Sequence, residues 1–421
     1  MKQIISESEH LSPKARKTHI PELMAPAGNW TMLTTAVHSG ANAVYFGVEK
    51  LNMRAKAVNF TTEELPKISA YCKERNVKTY LTLNTLVYEE EISEAEDIIS
   101  ACKISGIDRV ICWDLAISEI CKKYEMPFCI STQASVSNSL SANFYKSLGA
   151  VRVVLARECS LEEIKKIRKS TDLEIEAFIH GAMCIAVSGR CFMSHHLFGK
   201  SANKGECIQP CRREYEIIDH SIDKSMIIGT DYVLSPKDLC TIEFIDQLIE
   251  SGIDSFKIEG RKRSPEYVAK VVSVYRKAID LYFEGKLTPE TKKELLSELV
   301  EVYNRGFSSG FYFDIPSSAE YADIYGSKAT TRKEYIGKVL NYYKKAGVVF
   351  VLLESGKIAL EDEILIIGST TGVVSTKITN ILKDDIQSSE AVKGDKITLP
   401  CNETVRPNDA VYIVKNIKPN V

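Results

Sequence analysis

The sequence predicts an α/β chain in which a closed (β/α)8 barrel carries a long Cys-rich insertion before its last strand and is followed by a small all-β barrel. Three observations predict it. A short phrase recurs, in which a helical pattern stops at a glycine and an apolar strand follows: His38-Ser39-Gly40-Ala41-Asn42-Ala43-Val44-Tyr45, Ile104-Ser105-Gly106-Ile107-Asp108-Arg109-Val110-Ile111, Ser147-Leu148-Gly149-Ala150-Val151-Arg152-Val153-Val154 and Glu250-Ser251-Gly252-Ile253-Asp254-Ser255-Phe256-Lys257. A glycine cap between a helix and a strand is the αβ half of a βαβ unit. Eight strand patterns alternate with helical ones, the signature of a TIM-like barrel, with a doubly wound open sheet as the alternative. From about Glu334 the period shortens to that of strands.

The strand patterns are Glu22 to Ala25, Ala43 to Gly47, Thr79 to Asn84, Arg109 to Trp113, Phe128 to Thr132, Val153 to Arg157, Ile175 to His180 and Ser255 to Glu259. Helical patterns lie between them, as at Glu63 to Arg75, Glu94 to Ser105 and Leu161 to Lys169, and two more follow the last strand, Pro265 to Tyr282 and Pro289 to Tyr303. The expected organisation is a catalytic barrel over residues 1–333, with the insertion at 181–254 leaving the C-terminal end of the seventh strand, and a β domain over 334–421. Barrel enzymes place their chemistry at that end of their strands.

Composition narrows the function. Hydrophobic residues are 44% and charged residues 26%, ordinary globular values. No apolar run of about 18 residues is present, so a membrane span is not expected. Met1 to Ile20 has no apolar core, so an export signal is not expected either, and a cytoplasmic location is. The net charge of −2 announces no nucleic-acid partner, so RNA contact needs a local basic patch, and no DNA partner is expected.

Twelve cysteines are many for such a chain. Reduced thiols make a disulfide framework a poor explanation. Cys72, Cys102, Cys112, Cys121, Cys129 and Cys159 sit in apolar stretches and read as small buried hydrophobes. Cys184, Cys191, Cys207, Cys211 and Cys240 cluster in the insertion with spacings of 7, 16, 4 and 29. Soft thiolates favour zinc or an iron–sulfur cluster. The close C-x2-C pairs of structural zinc are absent, and convergence of Cys184 and Cys191 requires a chain break near Gly189. Spacing alone leaves an iron–sulfur cluster, zinc and no metal all open.

The stretch Glu176 to Ser194, which reads Glu-Ala-Phe-Ile-His-Gly-Ala-Met-Cys and then Ile-Ala-Val-Ser-Gly-Arg-Cys-Phe-Met-Ser, resembles the signature of the U32 family, long labelled collagenase-like peptidases. Pro21 to Asn29, Ala43 to Gly47, Ser131-Thr132-Gln133, Ser235 to Cys240 and Asn304-Arg305-Gly306-Phe307 resemble further blocks of that family, so the resemblance spans the chain. It implies an oxygen-independent RNA hydroxylase rather than a protease. Members of this length resemble the branch that makes 5-hydroxyuridine at the tRNA wobble position with prephenate. Sister branches act on a cytidine of 23S ribosomal RNA, and some relatives work as pairs, so a paralogous family subunit is a possible partner beside tRNA. The resemblance further implies a [4Fe-4S] cluster on Cys184, Cys191, Cys207 and Cys240, with Cys211 as a neighbouring thiol.

Prephenate is a dicarboxylate and calls for cations and N–H donors. The strand-end residues Arg157, Lys257 and Arg261, with Arg54 beside them, are the candidates, against the alternative that they pair with Glu158, Glu259 or Glu22. His180 ends the seventh strand and is a candidate acid or base, and Glu22, Gln133 and Asn84 are candidates to bond a uracil edge. Lys200, Lys204, Arg212 and Arg213, with Lys262 and Arg263, form two basic runs expected to contact RNA phosphates. Tyr45, Phe46, Phe192 and Phe198 are candidates to stack a splayed base. The competing peptidase reading has no H-E-x-x-H motif and would need a Cys184–His180 pair.

Overall fold

The computed structural model describes residues 19–54, 58–188, 190–215, 217–219, 226–229, 232–324 and 326–417. The expectations for the first 18 residues and for a break at Gly189 lie outside these. Eight parallel strands form the barrel: β1 (Glu22–Pro26), β2 (Ala43–Phe46), β3 (Lys78–Leu83), β4 (Arg109–Cys112), β5 (Phe128–Ile130), β6 (Arg152–Val154), β7 (Glu174–Ala182) and β8 (Ser255–Ile258). Each pairs with the next, and β8 closes the ring by pairing with β7 on one side (Ser255 with Glu176) and β1 on the other (Glu22 with Ser255). Closure excludes the open doubly wound sheet.

Local sequence accounts for the alternation. Gly40, Gly106, Gly149 and Gly252 of the recurring phrase all adopt left-handed φ of 95°, 73°, 96° and 80°, which stops each helix and aims the chain into the next strand. Helices begin on side-chain caps, with Asp114, Asn138 and the Ser160–Glu163 capping box each satisfying otherwise unpaired N–H groups. The main core lies between strands and outer helices and takes in five of the scattered cysteines, with Cys129 inside the barrel.

Two departures from ideal barrel geometry position the site. Between β7 and β8 the register jumps from Lys257–Phe178 to Ile258–His180, so Ile179 is an extra residue and β7 bulges. Gly181 follows at φ 107°, where a Cβ would meet the Glu259 carbonyl oxygen at 2.7 Å. Beyond the bulge, β7 pairs antiparallel with Asp238–Cys240, which pairs in turn with Phe307–Ser308.

The opposite end of the barrel is plugged by ion pairs. Arg152 donates to Glu22 (2.7 Å), Glu174 (2.7 Å) and Glu176 (2.9 Å), Lys257 to Glu176 (2.7 Å), and Lys78 and Tyr80 to Glu22 (2.9 and 3.0 Å). Glu22 is therefore not the base-contacting residue expected from sequence. It starts β1, whereas the insertion leaves from the other end of the strands.

The C-terminal region is an antiparallel eight-stranded sheet over its own core, its pairing in open order from Gly372–Lys377 to Ile386–Ser388 among the described strands. It rests on the barrel through Thr34 Oγ, which donates to the Ser369 carbonyl (2.9 Å), and through Lys333–Glu266 (2.7 Å). No helix among the described residues is long and apolar enough to cross a membrane.

Candidate active site at the barrel mouth

At the C-terminal ends of the strands lies a cavity of about 110 Å³, walled by Arg54, Arg157, Arg212, Lys257 and Arg261 with Glu259 as the carboxylate among them and Cys184 at its edge. Burial would raise the Glu259 carboxyl, but Arg54, Arg263 and Arg157 overcome it and hold the group at about 2. Arg54 lies 3.2 Å from Glu259 and Lys257 is already paired to Glu176. Arg261 is different. It is 7% exposed and donates only to neutral acceptors, Thr82 Oγ (2.9 Å) and Asn52 Oδ1 (3.2 Å). Burial lowers its pKa to about 10, the mark of a cation short of counter-charge. The Nε groups of Arg157 and Arg212 are also buried without a hydrogen-bond partner. Arg157 stacks 4.0 Å over the Phe178 ring and donates to the Ala182 carbonyl. Arg212, expected on an RNA-contacting rim, instead donates to the Met183 and Pro236 carbonyls inside the cavity wall. Among the described residues the mouth thus offers three guanidinium groups without an ion pair, Arg261 buried and Arg157 and Arg212 half-buried, the last two each with an idle Nε–H donor for an anion.

The cysteine loop folds over this cavity. The Cys211 thiol is raised by burial and by the neighbouring Cys184, Cys207 and Cys191, so these four share one neighbourhood. Backbone N–H groups of Met193 and Gln209 donate to the Cys191 and Cys207 sulfurs, both at 3.4 Å. Arg54 feels both Cys184 and Cys207. All four thiols are free and at least partly exposed. Cys240, expected from sequence among the ligands, is elsewhere. It is buried behind β7 at 3.8 Å from the Tyr275 hydroxyl, its thiol pushed up to about 12 by burial, with Glu243 and Asp238 as its charged neighbours. Cys211 therefore has Cys184, Cys191 and Cys207 among its charged neighbours, and Cys240 does not.

His180 shares that rear position. By strand alternation it would face the cavity like Phe178, but the bulge at Ile179 turns it outward. Its ring packs among Tyr267, Tyr275 and Phe307, with Nδ1 3.3 Å from the Tyr275 hydroxyl. The catalytic role expected for it is therefore corrected: His180 is a packed histidine. Burial lowers its pKa to about 3. The unfolded chain takes up that proton near 6.5, so stability falls as pH drops from 6.5 toward 3, by about 1.4 kcal/mol per unit. His180→Phe is expected to flatten urea midpoints over that range, and an unchanged slope would show that the ring is not buried in neutral form.

Of the remaining candidates, Gln133 and Asn84 do line the cavity. Lys204 is held by Glu91 (2.6 Å) and the Leu86 carbonyl (2.9 Å), and Arg263 by Asp238 (3.8 Å) and the Tyr303 ring (3.8 Å), so neither is a free rim cation. Lys200, Arg213 and Lys262 are exposed on the insertion and the turn after β8. Phe46 is fully buried, and the Tyr45 hydroxyl donates to the Ile258 carbonyl (2.9 Å).

The family model for Peptidase family U32 matches residues 28–321. This chain belongs to family U32. A "Collagenase" of Porphyromonas gingivalis (strain W83) is 40% identical over 403 residues, covering 93% of this chain and 97% of that protein. The "tRNA hydroxylation protein P1" of Bacillus subtilis is 41% identical over 332 residues, covering 77% of this chain and 78% of that one. The "23S rRNA 5-hydroxycytidine C2501 synthase" of Escherichia coli is 34% identical over 273 residues, covering 64% of this chain and 41% of that protein.

Within this U32 chain, sequence reasoning overlooked Trp113 and the two acceptors that seat Arg261. Trp113 follows β4 directly, and an aromatic at the C-terminal end of a barrel strand was the available signal. Thr82 and Asn52 carry no pattern in the sequence, because only barrel closure brings them to Arg261.

Proposed function

We propose that this U32 chain is an oxygen-independent RNA hydroxylase that converts the tRNA wobble uridine to 5-hydroxyuridine, with prephenate as co-substrate and a Cys-held [4Fe-4S] cluster. The observation that carries it is Arg261, a buried cation at the barrel mouth without a carboxylate partner among the described residues, next to the cysteine loop. The names of the Bacillus and Escherichia relatives support RNA hydroxylation as the reaction class.

The donor set fits a cluster. One zinc with Zn–S bonds of about 2.3 Å packs its four thiolates about 4 Å apart. The donors are four soft thiolates, Cys184, Cys191, Cys207 and Cys211, and thiolates bound to separate irons stand wider apart than those of one zinc. Backbone N–H groups donate to the Cys191 and Cys207 sulfurs, the kind of hydrogen bond that tunes the potential of a cluster, and the Arg54 guanidinium stands near Cys184 and Cys207. Cys184, Cys191, Cys207 and Cys211 would hold the cluster, which supplies electron transfer or an open iron position when bound.

The chain's own groups do the rest. Arg261 and the idle Nε donors of Arg157 and Arg212 bind the carboxylates of the co-substrate. Glu259 stays ionised and keeps Arg54 in place. Burial raises the Tyr45 phenol, so it remains a neutral donor. A Cys–His peptidase pair is not supported, because Cys184 lies on the cavity side and His180 behind the bulged strand. Gly306 to Gly310 has G-x-S-x-G spacing, but Ser308 lies in a two-residue strand and accepts from the Gly310 N–H (3.2 Å) rather than standing on a strand-to-helix elbow.

The test is anaerobic incubation of cluster-loaded protein with unmodified tRNA and prephenate, followed by nucleoside mass spectrometry. One added oxygen on the wobble uridine is expected, with Arg261→Met at least about tenfold slower at limiting prephenate, the scale of one lost charged hydrogen bond. Iron-replete protein that oxygenates no nucleoside in tRNA would sink the proposal.

A further inference from the structure

A second cavity, of about 220 Å³, opens beside the first and shares only Met53 and Gln133 with it. Its character is different. The first is crowded with guanidinium groups, whereas the second is walled by Trp113, Phe192, Leu86 and Met53, with Arg190 stacked 4.5 Å over the Trp113 ring. Phe192 is 74% exposed at the edge of this cavity, which leaves its ring accessible to a ligand. Two amides complete the lining, those of Gln133 and Asn203.

The hydrogen bonds of these amides fix which atoms they offer. A backbone N–H can only donate. The Met53 N–H donates to Asn84 Oδ1 (3.2 Å), so Asn84 Nδ2 must be the group that faces Gln133, and the Gln133 atom 3.4 Å from it is Oε1. Ser131 Oγ also donates to that oxygen. The Cys191 N–H likewise donates to Asn203 Oδ1 (3.2 Å). Both oxygens are committed to the protein, and among the described residues neither NH2 group has a partner, which leaves both for a ligand.

We propose that this cavity receives the splayed target base, with Trp113 and Phe192 stacking it and the NH2 groups of Gln133 and Asn203 reading the two carbonyls of uracil. The proposal rests on the hydroxylase reading and names the seat of its substrate. The amides come from different elements, the turn after β5 and the insertion, and so approach carbonyls on either side of N3–H. Cytosine presents an amino donor in place of one carbonyl, which sets donor against donor. Because Gln133 and Met53 line both cavities, base and anionic co-substrate are held against one wall. Arg190 stands at the rim for the phosphate of the extruded nucleotide.

Trp30 and Trp113 are the two tryptophans of the chain. Trp30 packs against Phe60 and Tyr71 on the barrel's outside, so Trp30→Phe leaves Trp113 as the single reporter in the full-length protein. Oligouridine and oligocytidine of equal length are titrated at fixed salt, with Trp113 emission reporting the cavity and anisotropy of labelled RNA reporting binding of any kind. Saturable quenching is expected, with oligouridine about fivefold tighter, the worth of one neutral hydrogen bond. Gln133→Glu, which offers an acceptor in the same shape, is expected to erase or reverse that ratio. Phe192→Ala, at an exposed position that cannot disturb the fold, is expected to weaken oligouridine binding about fivefold or more. RNA that binds without changing Trp113 emission, or equal affinities that Gln133→Glu leaves equal, overturns the cavity assignment alone. Absence of RNA binding by either readout overturns the hydroxylase reading with it.

Discussion

Cys211→Ser strips the iron from anaerobically purified protein and Cys240→Ser keeps it: this is the expected result of placing the two thiols where the fold places them. Wild-type protein is expected to carry about four irons per chain. Cys211 sits with Cys184, Cys191 and Cys207, over a cavity whose arginines offset thiolate charge. Removing it leaves three ligands and an open iron that oxygen or chelators attack. Cys240 lies behind β7, its thiol held protonated by burial and 3.8 Å from the Tyr275 hydroxyl. Serine there costs some packing but no iron. Iron and sulfide analysis with the visible spectrum checks both variants. Loss of iron from Cys240→Ser and its retention in Cys211→Ser would return the ligand set to the one the family resemblance implies, and the loop would have to refold around the cluster.

The second large effect lies at the other end of the barrel. Arg152→Leu is expected to destabilise the chain by about 3–5 kcal/mol at neutral pH, because it removes the shared partner of carboxylates that stay buried. That is a large part of a typical folding free energy of about 5–15 kcal/mol. The pH dependence gives the mechanism away. Burial alone would raise Glu22, but Arg152 and Lys78 lower it, and the same opposition with Arg109 and Arg152 on the lowering side holds Glu174 at about 2. Depressed carboxylates stabilise above their unfolded pKa, near 4.5, and lose that contribution as pH falls through the folded value. The gap between wild type and Arg152→Leu is therefore widest at pH 7 and narrows below about 4.5. Urea unfolding at pH 7 and pH 4 measures it, and a gap that does not narrow would mean that lost packing, not lost charge pairing, causes the effect.

These placements show how far the chain could be read in one dimension. The barrel was legible because its evidence is local: each helix-glycine-strand phrase encodes a cap and a turn within eight residues, and the four glycines adopt the conformation the phrase requires. The cationic mouth was legible because Arg157, Lys257 and Arg261 lie at or just past strand ends, which closure must gather. His180 was misread for a physical reason. Alternation along β7 is regular to Phe178, and one inserted residue at Ile179 turns His180 to the other face. Glu22 was misread because a strand-end residue can belong to either rim, and its partner Arg152 lies 130 residues away.

By itself, then, the sequence determined the (β/α)8 order, the position of the cysteine-rich insertion at the end of β7, the family and the basic residues of the mouth, all of which depend on short-range spacing or on side-chain type. Only the tertiary structure decided which thiols neighbour Cys211, which arginines of the mouth have no ion pair among the described residues, and which amide groups face the second cavity. Those depend on pairings between distant segments, on a single bulge, and on obligate backbone donors such as the Met53 and Cys191 N–H groups, whose partners exist only once the barrel has closed.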